Sequence, residues 1–342
     1  MRASTPIGIG VVGTGGWARS FWADAQESKD VRLVGCWNRT RERAEKFAEA
    51  YGGTVASTLQ DLIADPEVEA IANFSANAYH AEPTEVAAAA GKHVFVDKPI
   101  ANTVAESAAM IRACEKAGVT LMVGHSTRYG GEARTLKQIV DSGRLGQLVM
   151  VEANISHSGG TRLSAEKWRW HWEEAPGGPL MQLSIHAFDT LHCFFGPTRR
   201  VTALSTKDLE TSEIEDVFLV LLEFESGLLA YVGTNYIAPP VHFVRIYGRS
   251  ENVYAERGKI THVIPTDPWT TKTEEMETPR GNAAAAEMDE FARAIRTKTE
   301  PETGGKEGLL ALGVVWACIE SARQGRAVEV REVLGEAAGL VE

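Results

Sequence analysis

A chain of 342 residues is long for one compact core and suits two domains of ordinary size; with 44% hydrophobic and 24% charged residues it has the material to fill them, which excludes disorder. Its 46 acidic against 35 basic residues give a formal net charge of −11, which repels a phosphate backbone and argues against a nucleic-acid partner. Cys36, Cys114, Cys193 and Cys318 form no CxxC pair, the opening MRASTPIGIGVVGTGG has no secretory pattern, and no apolar run reaches the roughly eighteen residues of a membrane span, so a cytoplasmic protein without a membrane partner is expected.

From the N-terminus, short apolar runs alternate with helical patterns. IGIGVVG is followed by a helix from about Trp17, VRLVGCW by RERAEKFAEAYG, AIANFS by EPTEVAAAAG, and HVFVDKP by ESAAMIRACEKAG and then VTLMVG. That rhythm predicts an α/β first domain over residues 1–125, a doubly wound parallel sheet of the Rossmann type. After the helix TLKQIVDSGRLG the runs lengthen to QLVMVEANISHS, RRVTALS, DVFLVLLEFES, GLLAYVGTNY, VHFVRIYG and SENVYAER, several separated only by turn residues. Such spacing predicts antiparallel hairpins, so residues 126–342 are read as an α+β domain with helices at AFDTLHCFFG, AAAAEMDEFARAIRT and LLALGVVWACIESARQG. The TKTEEMET run reads as a solvated loop.

Gly13-Thr14-Gly15-Gly16-Trp17-Ala18 follows the first strand and opens a helix. Gly13 permits the tight turn, Gly15 lets backbone approach a pyrophosphate, Ala18 allows close packing, and the helix N-terminus offers N–H groups to the anion. At the end of the second strand, where NAD-binding domains usually carry an acid, the chain reads Trp37-Asn38-Arg39-Thr40. With no carboxylate to repel it, a 2′-phosphate is accepted there and Arg39, aided by Arg43, grips it; NADP(H) is therefore preferred and NAD(H) remains open. Otherwise the two arginines only solvate a helix start.

The succession GTGGWA, FSANAYH, AGKHVFVDKPIA, VGHSTRYG and WRWHWEEAPGGPLMQLSIHAFDTL closely resembles the glucose–fructose oxidoreductase, inositol dehydrogenase and rhizopine-catabolism (Gfo/Idh/MocA) family over nearly the full chain. The resemblance implies a nicotinamide-dependent oxidoreductase acting on a hydroxyl or ketone of a sugar, inositol or related polyol. It also implies a second domain whose open sheet forms a homodimer or homotetramer. Asp97-Lys98-Pro99 stands where the family usually has Glu-Lys-Pro, so Lys98 inherits contact with both substrate and cofactor, and Asp97 lies beside the cofactor. Ligands in such sheets bind beyond the carboxyl ends of strands, where a lysine stabilises alkoxide character; the plainer reading is a lysine that caps a strand. Ser75, Asn77 and His80 match the family's cofactor-side turn, with Ala76 in place of its proline.

By the same resemblance, an Asp and a His four residues apart reach into the site, here Gln182 and His186. Positions i and i+4 of a helix share a face, and His186 is the acid/base candidate. Gln182 is an amide, which orients a hydroxyl or imidazole but relays no proton. Trp168, Arg169, Arg128 and Tyr129 are further candidates for the substrate's hydroxyls, with His125 near them. His186, Asp189 and His192 recur in steps that rotate too far around a helix for a metal cluster, and no metal is implied. Two other classes stay open: a non-catalytic nucleotide-binding sensor, suggested by Gln182, and a redox-assisted epimerase or lyase that retains its cofactor.

Overall fold

The structure, a computed structural model, describes residues 5–209 and 212–341, in two compact units. The first comprises residues up to Tyr129 together with Asn282–Leu309 and the C-terminal residues from Gly339. Its elements in chain order are β1 (Ile7–Val12), α1 (Gly16–Ala25), β2 (Val31–Trp37), α2 (Arg41–Tyr51), β3 (Thr54–Val55), α3 (Leu59–Ala64), β4 (Ala70–Asn73), α4 (Ala81–Ala89), β5 (His93–Asp97), α5 (Val104–Ala117) and β6 (Leu121–Gly124). The six strands run parallel in the order β3-β2-β1-β4-β5-β6. Strand order reverses beside β1, so the crevice at its carboxyl end is the place where such sheets take ligands. Strand β1 and the centre of β5 are buried on both faces, which is why they read as unbroken apolar runs.

The second unit holds Gly130–Gly281 and Leu310–Ala338. It begins with α6 (Gly131–Asp141) and continues through β7 (Leu148–Ser156), α7 (Ile185–Phe195), β8 (Thr198–Thr206), β9 (Val217–Phe224), β10 (Leu229–Asn235), β11 (Val241–Gly248), β12 (Asn252–Glu256), β13 (Lys259–Asp267) and β14 (Thr270–Glu277). The chain then forms α8 (Ala283–Thr297), α9 (Gly305–Gln324), β15 (Val328–Glu329) and α10 (Val330–Leu334). Its nine-stranded sheet has the order β14-β13-β12-β11-β7-β10-β9-β8-β15, antiparallel except for the β7–β10 pair. Residues alternate along β9: Phe218, Val220 and Leu222 are buried on one face while Leu219 and Leu221 are exposed on the other.

Two features differ from the sequence reading. The TKTEEMET run is the strand β14, not a loop; it pairs along β13 from Glu277 opposite Lys259 to Thr270 opposite Asp267. All of its residues are exposed, and its charges pair with neighbours, as Lys272 does with Glu274 at 2.9 Å. A charged edge strand has no buried face, so period-two alternation never marks it. The segment Asn282–Leu309, assigned by the sequence to the second domain, belongs to the first unit. There Phe291 of α8 meets Phe95 of β5 edge-on at 6.0 Å, and Asp289 accepts a hydrogen bond from Ser28 at 2.5 Å.

Candidate active site

In the first unit the phosphate loop leaves β1 and enters α1. Gly13 has φ of +81°, and a Cβ there would lie 2.5 Å from the Ser75 nitrogen, so only glycine lets this loop touch the one after β4. Its N–H donates to the Trp37 carbonyl at 3.0 Å, and the Thr14 N–H donates to Asn38 Oδ1 at 3.1 Å, which ties the loop to the end of β2. Gly15 caps α1 without any side-chain bond, and a Cβ on Gly15 or Gly16 would meet nothing within 4 Å. Thr14 Oγ1 and Asn77 Nδ2 are buried with no hydrogen-bond partner among the described residues. Unpaired buried polar atoms beside an open, uncapped helix start fit a bound dinucleotide, whose phosphates and amide would pair them.

Beyond β2, the Arg39 guanidinium lies over the Tyr79 ring, 3.9 Å from its centroid. Arg41 is held by Glu45 at 2.8 Å, whereas neither Arg39 nor Arg43 has a carboxylate partner among the described residues. Stacking at an exposed site contributes about 0.5–1 kcal/mol, less than the roughly 1.5–3 kcal/mol of a hydrogen bond to a charged group, so the guanidinium remains available to an anion.

Strand β4 ends in fully buried Asn73, which organises the next loop. Its Oδ1 accepts from the Ser75 N–H at 3.1 Å and the Ser75 hydroxyl at 2.7 Å, and its Nδ2 donates to the His80 carbonyl at 3.1 Å. The His80 ring in turn spans two loops, with Nδ1 2.8 Å from the Pro99 oxygen and Nε2 3.0 Å from the Ser75 oxygen. Burial pushes the His80 pKa down, against the pull of Asp97 and of the backbone carbonyls.

Strand β5 delivers Asp97 and Lys98. Burial pushes the Asp97 carboxyl up; the Lys98 ammonium, His80 and a hydrogen bond from the Trp17 indole oppose that shift. Lys98 is 9% exposed, and its peptide to Pro99 is cis.

In the second unit a glycine turn precedes the helix. Gly178 has φ of +44°, and a Cβ on it would come within 2.5 Å of the Glu215 carbonyl oxygen. Leu180–Ser184 then forms a π-turn carrying buried Gln182, and α7 follows with half-buried His186 in its first turn. The α-helical i, i+4 geometry expected for this pair is thus replaced by a widened turn at Gln182, a distortion common at functional sites. Arg169 stacks on Trp168 at 4.6 Å and donates through Nε to Gln182 Oε1 at 3.2 Å. Buried Tyr236, just after β10, stacks on His157 at 5.2 Å; burial raises its phenol pKa while the Arg169 charge lowers it. His192 is engaged elsewhere, its Nε2 accepting from the Thr198 N–H at 3.2 Å.

Residues 7–125 match the profile described as an oxidoreductase family with an NAD-binding Rossmann fold, GFO/IDH/MocA, and residues 133–261 match the GFO/IDH/MocA C-terminal domain. The chain belongs to the Gfo/Idh/MocA oxidoreductases. It is 25% identical over 339 residues to 1,5-anhydro-D-fructose reductase of Ensifer adhaerens, covering 94% of this chain and 98% of that protein. Over 344 residues it is 27% identical to D-xylose 1-dehydrogenase (NADP(+)) 2 of Haloferax volcanii, covering 94% and 99%. A crystal structure from Desulfitobacterium hafniense, described as an NADPH-dependent oxidoreductase, aligns at 30% identity with a TM-score of 0.93 over 97% of this chain and 100% of that one.

As a Gfo/Idh/MocA member the chain is an NAD(P)-dependent oxidoreductase. Its first unit gathers Gly13 to Trp17, Asn38, Arg39, Ser75, Asn77, His80, Asp97 and Lys98 beyond the ends of β1, β2, β4 and β5, whose strands adjoin in the sheet. Arg43 lies a helical step further, exposed on α2. Tyr129 belongs to the first unit's core, 3.4 Å from the Thr303 hydroxyl, and Arg128 is buried and donates to the Glu302 carbonyl at 2.9 Å. Sequence reasoning missed Asn73, Tyr79 and Tyr236; only Asn73 left a signal, as the one polar residue closing the buried run AIAN.

Proposed function

We propose that this chain moves hydride between NADP(H) and a carbinol or ketone carbon of a sugar, inositol or related polyol, with Lys98 holding the reacting oxygen and His186 moving its proton. The observation that carries this reading is the burial of Lys98 at the carboxyl end of β5, next to buried Asp97. Lysine is rarely so buried without a use, and an ammonium in a dry site stabilises a developing alkoxide far better than one in water. When bound, the nicotinamide supplies the acceptor or donor of hydride. In the oxidative direction the carbinol O–H proton passes to a ring nitrogen of His186 as the C–H electron pair departs, and the Lys98 ammonium donates a hydrogen bond to the oxygen that becomes the carbonyl. Gln182, an amide, orients and relays nothing.

The preference for NADP(H) rests on Arg39, stacked on Tyr79 with no carboxylate partner among the described residues. Titration of the purified protein should give tighter binding of NADPH than of NADH; tighter NADH would refute that preference. Lys98→Ala should cut kcat by at least about a hundredfold, the usual scale for a lost acid–base or polarising group, and spare NADPH binding. Turnover on a panel of sugars, inositols and keto-sugars, followed by cofactor absorbance and product identity, is the measurement, and full activity in the variant would sink the assignment. The exposed sheet face, with Leu204 69% and Leu221 60% exposed, supports a homo-oligomer formed by a second copy of the same chain.

A further inference from the structure

Arg169 is a charge held in place and left unbalanced. Its guanidinium, exposed to solvent, lies 4.6 Å from the Trp168 ring centroid and spends its Nε on Gln182 Oε1, which leaves the two Nη groups to form a fork. No carboxylate lies within ion-pair reach of it among the described residues, and what does touch it, an amide and an indole, is neutral. Several other arginines of this acid-rich unit are paired, Arg199 and Arg200 with Glu223, Arg144 with Glu251 at 2.7 Å and Arg326 with Glu332. The nearby acid Glu213 is committed to the Trp172 N–H at 3.1 Å and to His171. Tyr236, 4% exposed and within the influence of the Arg169 charge, has a hydroxyl with no hydrogen-bond partner among the described residues.

We propose that Arg169, with the Tyr236 hydroxyl, receives a carboxylate of the substrate, so that the protein favours sugar acids, aldonates or uronates, over neutral polyols. The inference rests on the hydride-transfer reading of the same site and names its substrate class. A planar two-donor fork matches a carboxylate, and one positive charge matches its single negative charge. A phosphate monoester, carrying about −1.5 to −2 near neutrality, would ask for further cations that these neighbours do not supply. Gln182 is what keeps the fork open: a carboxylate at that position would itself neutralise Arg169.

Calorimetric titration of the NADPH-loaded protein with matched probes tests this, D-gluconate against D-glucitol and D-glucuronate against D-glucose, with D-glucose 6-phosphate as a third arm. Each acid should bind about tenfold or more tightly than its neutral counterpart, the scale of one charged hydrogen bond, and more tightly than the phosphate. Arg169→Gln should bring the paired affinities within about twofold while NADPH binding, the check on folding, persists. Gln182→Glu should do the same by supplying an internal partner. Equal binding of acid and neutral probes by the unaltered protein, no binding of either acid, tightest binding of the phosphate, or an Arg169→Gln protein that keeps the preference would each overturn the inference. Acid-selective binding without any turnover would instead sink the hydride-transfer reading alone.

Discussion

His80 has two carbonyl oxygens against its two ring nitrogens, and a neutral imidazole can donate to only one of them. Protonation would satisfy both, but burial opposes it and holds the folded pKa below the ordinary 6.5. The unfolded chain therefore binds the proton first as pH falls, and stability that is complete above about 6.5 declines below it. Asp97 works in the other direction: its raised pKa lets the folded state keep a proton that the unfolded state has released, so its contribution is present in acid and lost as pH rises. Urea midpoints at pH 7.5 and 5.5 check the first effect. The native protein should lose stability between them, and His80→Asn should lose less, while starting about 1–3 kcal/mol lower at pH 7.5 for want of the buried hydrogen bond. An equal loss in both proteins would assign the acid sensitivity to other groups, of which His93, its pKa also lowered by burial, is the first to examine.

Among the secondary-structure elements, legibility followed burial. Strands β1 and β5 are wrapped on both faces, so their apolar runs could be read, and with them the loops carrying Gly13 and Lys98. Strand β14 touches no core and could not; nothing in TKTEEMET records that its backbone is bonded to β13. The π-turn at Leu180–Ser184 was equally hidden, because one widened turn leaves the apolar spacing of a helix almost unchanged. Contacts made across long sequence separations were invisible for a different reason. Asn38 to Thr14 and Arg39 to Tyr79 depend on which strand ends adjoin, and a single sequence carries chemistry at each position but not adjacency.

At the scale of the whole molecule, the second unit keeps one sheet face without cover. Leu204 of β8 and Leu219 of β9 are directly paired, Leu221 and Leu229 continue the patch, and all four are more than half exposed. Folded chains seldom leave such a stretch to water, so replacing Leu219 and Leu221 together with arginine should break the proposed oligomer into monomers in analytical ultracentrifugation without abolishing NADPH binding. A native protein that sediments as a monomer would remove the case for self-association. The first unit, too, is not closed by its own leading residues. Phe95, Tyr129 and the rest of that core need Met288 and Phe291, which come only after Asn282. During synthesis the nucleotide-binding sheet must therefore wait, one flank uncovered, until the ribosome has made nearly the entire sheet of the other unit, so completion of the cofactor fold reports that the rest of the chain has already been delivered.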